Sequence, residues 1–148
     1  MSIAQTITTS CKTELLQAVH NFGPTSPNTF KIALYTAAAS LDATTTVYST
    51  ANEVVGTGYT AGGKTLVISV SPTSGLDSYG VPTAFISFAN TVWATASFTA
   101  RAALIYNETQ GNKSVAVLDF GSDKTVSGTS FTVEFPTANA NSAIVRIS

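Results

Sequence analysis

Seven Lys and Arg and eight Asp and Glu among 148 residues leave the chain only 10% charged, where a soluble domain typically carries roughly 25%. A hydrophobic content of 44% excludes intrinsic disorder, which needs low hydrophobicity and high net charge, and a net charge of -1 argues against nucleic acid as a partner. Cys11 is the one cysteine, so an intrachain disulfide and a cysteine-based zinc cluster are excluded, and its use fits a reducing cytosol.

Met1 to Thr9, polar with isolated Ile3 and Ile7, reads as an N-terminal arm that orders on a neighbour. Residues 10–148 read as one β-rich domain, since no shift in composition divides them. The arm lacks the basic and apolar regions of a signal peptide, and no apolar run approaches a membrane span. The expectation is a soluble, unprocessed chain made in the cytoplasm.

Leu15, Ala18, Val19 and Phe22 recur at helical spacing and predict a helix, with Ser10 as its N-cap and Gly23-Pro24 as its stop. His20 falls on the opposite side and is expected to be solvated. From Thr29 the period becomes two: Phe30, Ile32 and Leu34 alternate with Lys31, Ala33 and Tyr35, which predicts a half-buried strand. The stretch Ala37 to Gly63 is irregular, with Thr50 and Glu53 spaced as a capping box for a helical turn near Asn52 to Val55. Alternation returns in Leu66 to Val70, Phe98 to Ala100, Val115 to Val117, Phe131 to Phe135 and Ala143 to Ile147. Ala84 to Phe88 and Ala102 to Tyr106 are denser apolar runs suited to central strands. Turn-formers separate them at Pro72 to Gly75, Tyr79 to Pro82, Asn107 to Asn112, Gly121 to Gly128 and Pro136 to Asn141. The predicted fold class is mainly β: a β-sandwich or jelly-roll-like barrel of about eight strands with one N-terminal helix packed on it.

Gly58 to Thr65 satisfies the P-loop formula with Lys64, and Val115 to Asp119 imitates a Walker B strand. A phosphate loop must open a helix, however, and Leu66-Val67-Ile68-Ser69-Val70 is β-branched and alternating, so the motif reads as a glycine-rich bend entering a strand. Asp119-Phe120-Gly121 matches the kinase metal-binding tripeptide but lacks the rest of that signature, and reads as a strand end entering a polar turn with Asp123 and Lys124. The carboxylates are scattered and His20 is the one histidine, so neither a paired acid and base nor a zinc site is expected, and no catalytic, cofactor-binding or metal residue is assigned. Asn107-Glu-Thr and Asn112-Lys-Ser have the form of glycosylation sequons and read as turns. Tyr48, Tyr59, Tyr79 and Trp93 read as loop aromatics, either anchors on the core edge or a platform for sugars.

The ordered segments Glu14 to Phe22, Asn28 to Thr36, Leu41 to Thr46, Tyr48 to Val54, Gly56 to Gly63, Thr99 to Asn107 and Val115 to Lys124 resemble a family of small tailed-bacteriophage structural proteins. The resemblance spans nearly the whole chain and brings no enzymatic residues with it. It implies a non-enzymatic virion component without cofactors. The functional match it suggests is a head decoration, or cement, protein: a homotrimer on the outer lattice of the major capsid protein, with no nucleic acid or membrane partner. Uncharged, hydroxyl-rich surface suits such packing between identical copies. The alternative is a tail, baseplate or capsid-surface module for host recognition, in which Tyr59 and Trp93 stack on sugar rings.

Overall fold

Two antiparallel sheets form the molecule, which the computed structural model describes from residue 2 to residue 148. In chain order the elements are β1 (Thr6–Ile7), α1 (Thr9–Leu16), β2 (Phe30–Tyr35), β3 (Lys64–Thr65), β4 (Ile68–Leu76), β5 (Pro82–Phe88), β6 (Thr91–Asn107), β7 (Lys113–Val133) and β8 (Val145–Ile147). One sheet has the order β1-β7-β6-β2-β3 and the other the order β4-β5-β8. Among the described residues the fold is mainly β, eight strands with a single short N-terminal helix, and consistent with a β-sandwich.

The strand total agrees with expectation although its members differ. Segments on either side of Ala100–Ala102 merge into the single strand β6, while Val115–Val117 and Phe131–Val133 belong to one strand, β7. Gly121 to Gly128, expected as a turn, lies inside β7. Its ladder with β6 passes from Ala102↔Asp119 to Ala100↔Lys124, so β7 carries surplus residues there as a wide bulge. Pro72 to Gly75 likewise lies within β4, an edge strand where the register shifts between Val70 and Thr73 and proline costs no ladder bond. The tight connections at residues 77–81 and 108–112 fall where the turn-formers predicted them.

The core between the sheets is apolar and aromatic. Phe30, Ile32 and Leu34 from β2, Phe98 and Ile105 from β6, Val115 from β7, and Ile86 and Phe88 from β5 share one buried cluster. Phe22 stacks on Phe30 with ring centroids 4.3 Å apart, and Phe98 meets Phe131 at 5.1 Å. β2 is buried on both faces, correcting the half-buried expectation: Ala33 and Tyr35 join Leu104, Tyr106, Val117 and Leu41 in a second cluster on the outer face of the larger sheet. Ala39, Leu41 and Tyr48 from residues 36–63 pack on that face, while Val54 and Tyr59 of the same segment pack with the inner cluster.

The helix differs from its prediction at both ends. Thr8, not Ser10, is the N-cap, its Oγ1 accepting from the Cys11 amide at 3.4 Å. The helix stops at Leu16, before the predicted apolar stripe is complete. Ala18 adopts a φ of 58°, its amide donates to the Leu15 carbonyl, and the Val19 amide donates to the Glu14 carbonyl. This is a Schellman cap with alanine in the left-handed position where glycine is usual. The early stop frees the chain to carry Phe22 onto Phe30 and leaves Leu16 91% exposed.

The segment expected as an arm lies along its own chain. The Ala4 amide donates to the Leu41 carbonyl and the Leu41 amide to the Ser2 carbonyl, and Thr6 and Ile7 pair with Val117 and Ala116. Met1 lies outside the described residues.

Candidate functional site

The buried polar groups gather in clusters, each tying an irregular segment to the large sheet. On the outer face Glu53 is 7% exposed. Its Oε1 accepts from the Tyr59 hydroxyl at 2.6 Å and the Gly62 amide at 2.8 Å, and its Oε2 accepts from the Tyr48 hydroxyl at 2.7 Å. Tyr48 stacks on Tyr106 at 4.6 Å, and Tyr106 in turn donates to the Gly62 carbonyl at 2.7 Å. Tyr59 also accepts from the Leu34 amide at 2.9 Å, while the Val54 amide donates to the Leu34 carbonyl. A phenol and one backbone amide thus continue the edge of β2 beyond the short strand β3. Burial is the main cause raising the phenols of Tyr35, Tyr48 and Tyr59 above their ordinary range, reinforced by Glu53, and pushes Tyr106 up to about 12.

The expected helical turn at Asn52 to Val55 is a single bend: the Glu53 amide donates to the Thr50 carbonyl, and the Glu53 side chain turns inward to the phenols instead of capping. The glycines of the P-loop-like stretch serve the same covering. Gly63 has a φ of +70° and crosses β2 so closely that a Cβ would strike the Ile32 carbonyl oxygen. Lys64 and Thr65 then form β3, without a helix, as the sequence context indicated. Lys64 Nζ donates to the Val92 carbonyl at 2.6 Å and lies 5.9 Å from the Trp93 ring centroid.

At the helix end, His20 is buried, correcting the expectation of a solvated residue. Its Nε2 lies 2.7 Å from Glu14 Oε2, and its Nδ1 lies 3.0 Å from Asn107 Nδ2. Asn107 Nδ2 also donates to Asn28, and Asn107 Oδ1 accepts from the Gln110 amide, so this completely buried sequon asparagine pins two loops. Lys113 Nζ completes the group by donating to Glu14 Oε1 at 3.0 Å. A third cluster joins the hydroxyls of Thr8 and Ser114 at 2.9 Å, with Ser114 also donating to the Thr45 carbonyl. Cys11 lies in the core, where burial pushes its thiol up to about 12.

The other candidates lie apart. Asp119 Oδ1 accepts from the Gly121 amide and from Arg101 Nε at 3.4 Å, inside the β7 bulge and not at a strand end. Asn112 has a φ of 62° and its carbonyl accepts from the Tyr48 amide. Trp93 is no loop residue: it is 1% exposed in β6, its ring against Phe131 and Tyr59, and among the described residues its Nε1 has no partner. Tyr79 alone of the four aromatics is open, at 90% exposure.

The chain matches none of the family models, curated proteins or solved structures with which it was compared.

What remains accessible is a particular kind of surface. Thr91 to Ala100 and Thr125 to Val133 form a ladder without a charged residue. Its inner face buries Trp93, Phe98 and Phe131, and its outer face presents Thr99 paired with Thr125, whose hydroxyls are 2.8 Å apart, and Ser97 paired with Ser127. β1 covers the far edge of β7 only at Ala116 and Val117. The glycines at 121 and 128, each at positive φ, twist the rest of that edge. Among the described residues no helix is long and apolar enough to cross a membrane.

Proposed function

We propose that the chain is a non-enzymatic structural protein of a tailed-phage virion: a head decoration protein, made in the host cytoplasm, that binds the outer lattice of the major capsid protein as a homotrimer. The observation that carries this reading is the exposed ladder of Thr91 to Ala100 with Thr125 to Val133. Isolated proteins guard exposed strand edges with charge; Lys64 does so at Val92 of β6, but the β7 edge from Thr125 to Val133 is uncharged and hydroxyl-rich. Such a surface offers hydrogen-bonding partners without charge repulsion between copies. The polar residues that could have served chemistry, Glu53, Glu14 and His20, are engaged in holding loops to the sheet. Three modest contacts made together at high effective concentration would hold a trimer on an assembled lattice. Binding the assembled form in preference to loose subunits would stabilise the shell.

The host-recognition alternative asked Tyr59 and Trp93 to stack on sugars, and both rings are engaged in packing against Phe98 or Phe131. The test is the ratio of this chain to the major capsid protein in purified particles. Decoration of the lattice requires copies in stoichiometric proportion to the capsid protein, located on the head by labelling. A count confined to a few copies at the tail would overturn it.

A further inference from the structure

The turn joining β4 to β5 is rigid and apolar. Asp77 Oδ1 accepts from the amides of Tyr79 and Val81, both at 2.8 Å, and the Gly80 amide closes on the Asp77 carbonyl. Ser78 is tied in turn to Asn141. Asp77 and Gly80 suffice to build this turn, so its geometry gains nothing from large apolar side chains. It nevertheless presents Tyr79 at 90%, Leu76 at 67% and Val81 at 40% exposure. Single exposed apolar residues are ordinary; three on one pre-ordered tip form a knob whose insertion costs little conformational entropy.

A groove of complementary character runs between α1 and the smaller sheet. Two adjoining cavities of about 340 and 420 Å³ share Leu15, Arg146 and Ile147 in their walls. Phe22, Phe85 and Val145 add apolar surface to the first, and Leu16 and Lys12 line the second. Lys12 and Arg146 take no part in the ion pairs found among the described residues. On the tip, Asp77 Oδ2 has no hydrogen-bond donor among those residues. Tip and groove therefore match in charge as well as in apolar character, one a carboxylate beside an aromatic ring, the other two cations beside an apolar floor. Tyr79 does not enter the groove of its own chain, as its exposure shows.

We propose that the β4–β5 tip of one copy, led by Tyr79, seats in the groove between α1 and β8 of a second copy, with Asp77 facing Lys12 and Arg146. Tip and groove are different patches, so the contact is heterologous and repeats until a ring closes. A ring of three is the closure that agrees with the function proposed above, which this contact deepens.

Sedimentation velocity on the intact chain tests it. Wild-type protein should self-associate, and Tyr79→Ser should weaken association about thirtyfold, the scale of an interface hot spot. Ile147→Asp, at a position 57% exposed in the groove wall, should do the same from the other side. Thermal melting of each variant alone checks that it is folded. Mixed together, the two variants should form a one-to-one dimer and stop, since one retains the groove and the other the tip. A monomeric wild type, association indifferent to Tyr79→Ser, or variants that fail to pair would overturn the proposal. A monomer that still decorates heads, and loses occupancy with Tyr79→Ser, would place the tip on the capsid protein, sinking the self-contact and the homotrimer while leaving decoration of the lattice intact.

Discussion

The two faces of the larger sheet are buried by different means. On the inner face Phe30, Phe98 and Phe131 of the larger sheet meet Phe22 and, from the second sheet, Ile86, Phe88 and Val145, with Phe30 between Phe22 and Phe88 and Phe98 against Phe131. On the outer face residues 36–63, almost without regular structure, are held by Glu53, which accepts from Tyr48 on that face and from Tyr59, whose ring lies in the inner cluster, and by close backbone crossings at glycine. A sheet satisfies its own backbone groups and needs only apolar contact to dock. An irregular segment must find side-chain partners for its backbone, and so brings a buried polar network with it. The inner face should accordingly govern global stability, and the outer face the local order of one segment.

The largest effect expected is from Phe30→Ala. Phe30 is 1% exposed between Phe22 and Phe88, and its truncation should cost about 3–5 kcal/mol, read as a lowered midpoint in urea with one cooperative transition. Next comes Glu53→Gln, which turns one acceptor of the network into an amide that faces a donor. It should cost about 1–3 kcal/mol, with hydrogen-exchange protection lost first over residues 36–63. Should Glu53→Gln instead lower protection evenly across both sheets, the distinction between the faces fails.

Alkali should find the outer face with a smaller and more gradual effect. Because the phenols of Tyr35, Tyr48, Tyr59 and Tyr106 are raised in the folded chain, the folded state holds protons that the unfolded state releases. Their contribution is complete below the unfolded value of about 10 and is lost as pH rises beyond it. Melting temperature should thus fall above about pH 10, with tyrosinate absorbance from these residues rising together with unfolding. Absorbance that rises fully before the chain unfolds would show the phenols to be less enclosed than the network requires.

The same division separates what was legible in the sequence. Alternation located β2, the start of β4, parts of β6 and β7, and β8, because the inner face selects side chains at every second position, and dense apolar runs located β5 and the Ala102 to Tyr106 half of β6. It also identified Gly58 to Thr65 as a bend entering a strand. The outer layer was not legible. Nothing local marks Glu53 as the acceptor for Tyr48 and Tyr59, or His20 as the partner of Glu14 and Asn107, since these meet only after the sheet has formed. The turn-rich stretches inside β4 and β7 misled for a related reason: a bulge uses the same glycine and proline as a turn, and only the neighbouring strand decides between them.

By itself, then, the sequence determined a β-rich chain with an N-terminal helix, and an unusually uncharged surface, because composition and side-chain period act residue by residue. Tertiary structure decided where the helix stops, which polar residues are buried, and which apolar ones are left out. Those outcomes depend on what lies across the sheet: Phe30 draws Phe22 inward, Glu53 draws Tyr48 and Tyr59, and Tyr79 is left at the tip of a hairpin with no neighbour to cover it.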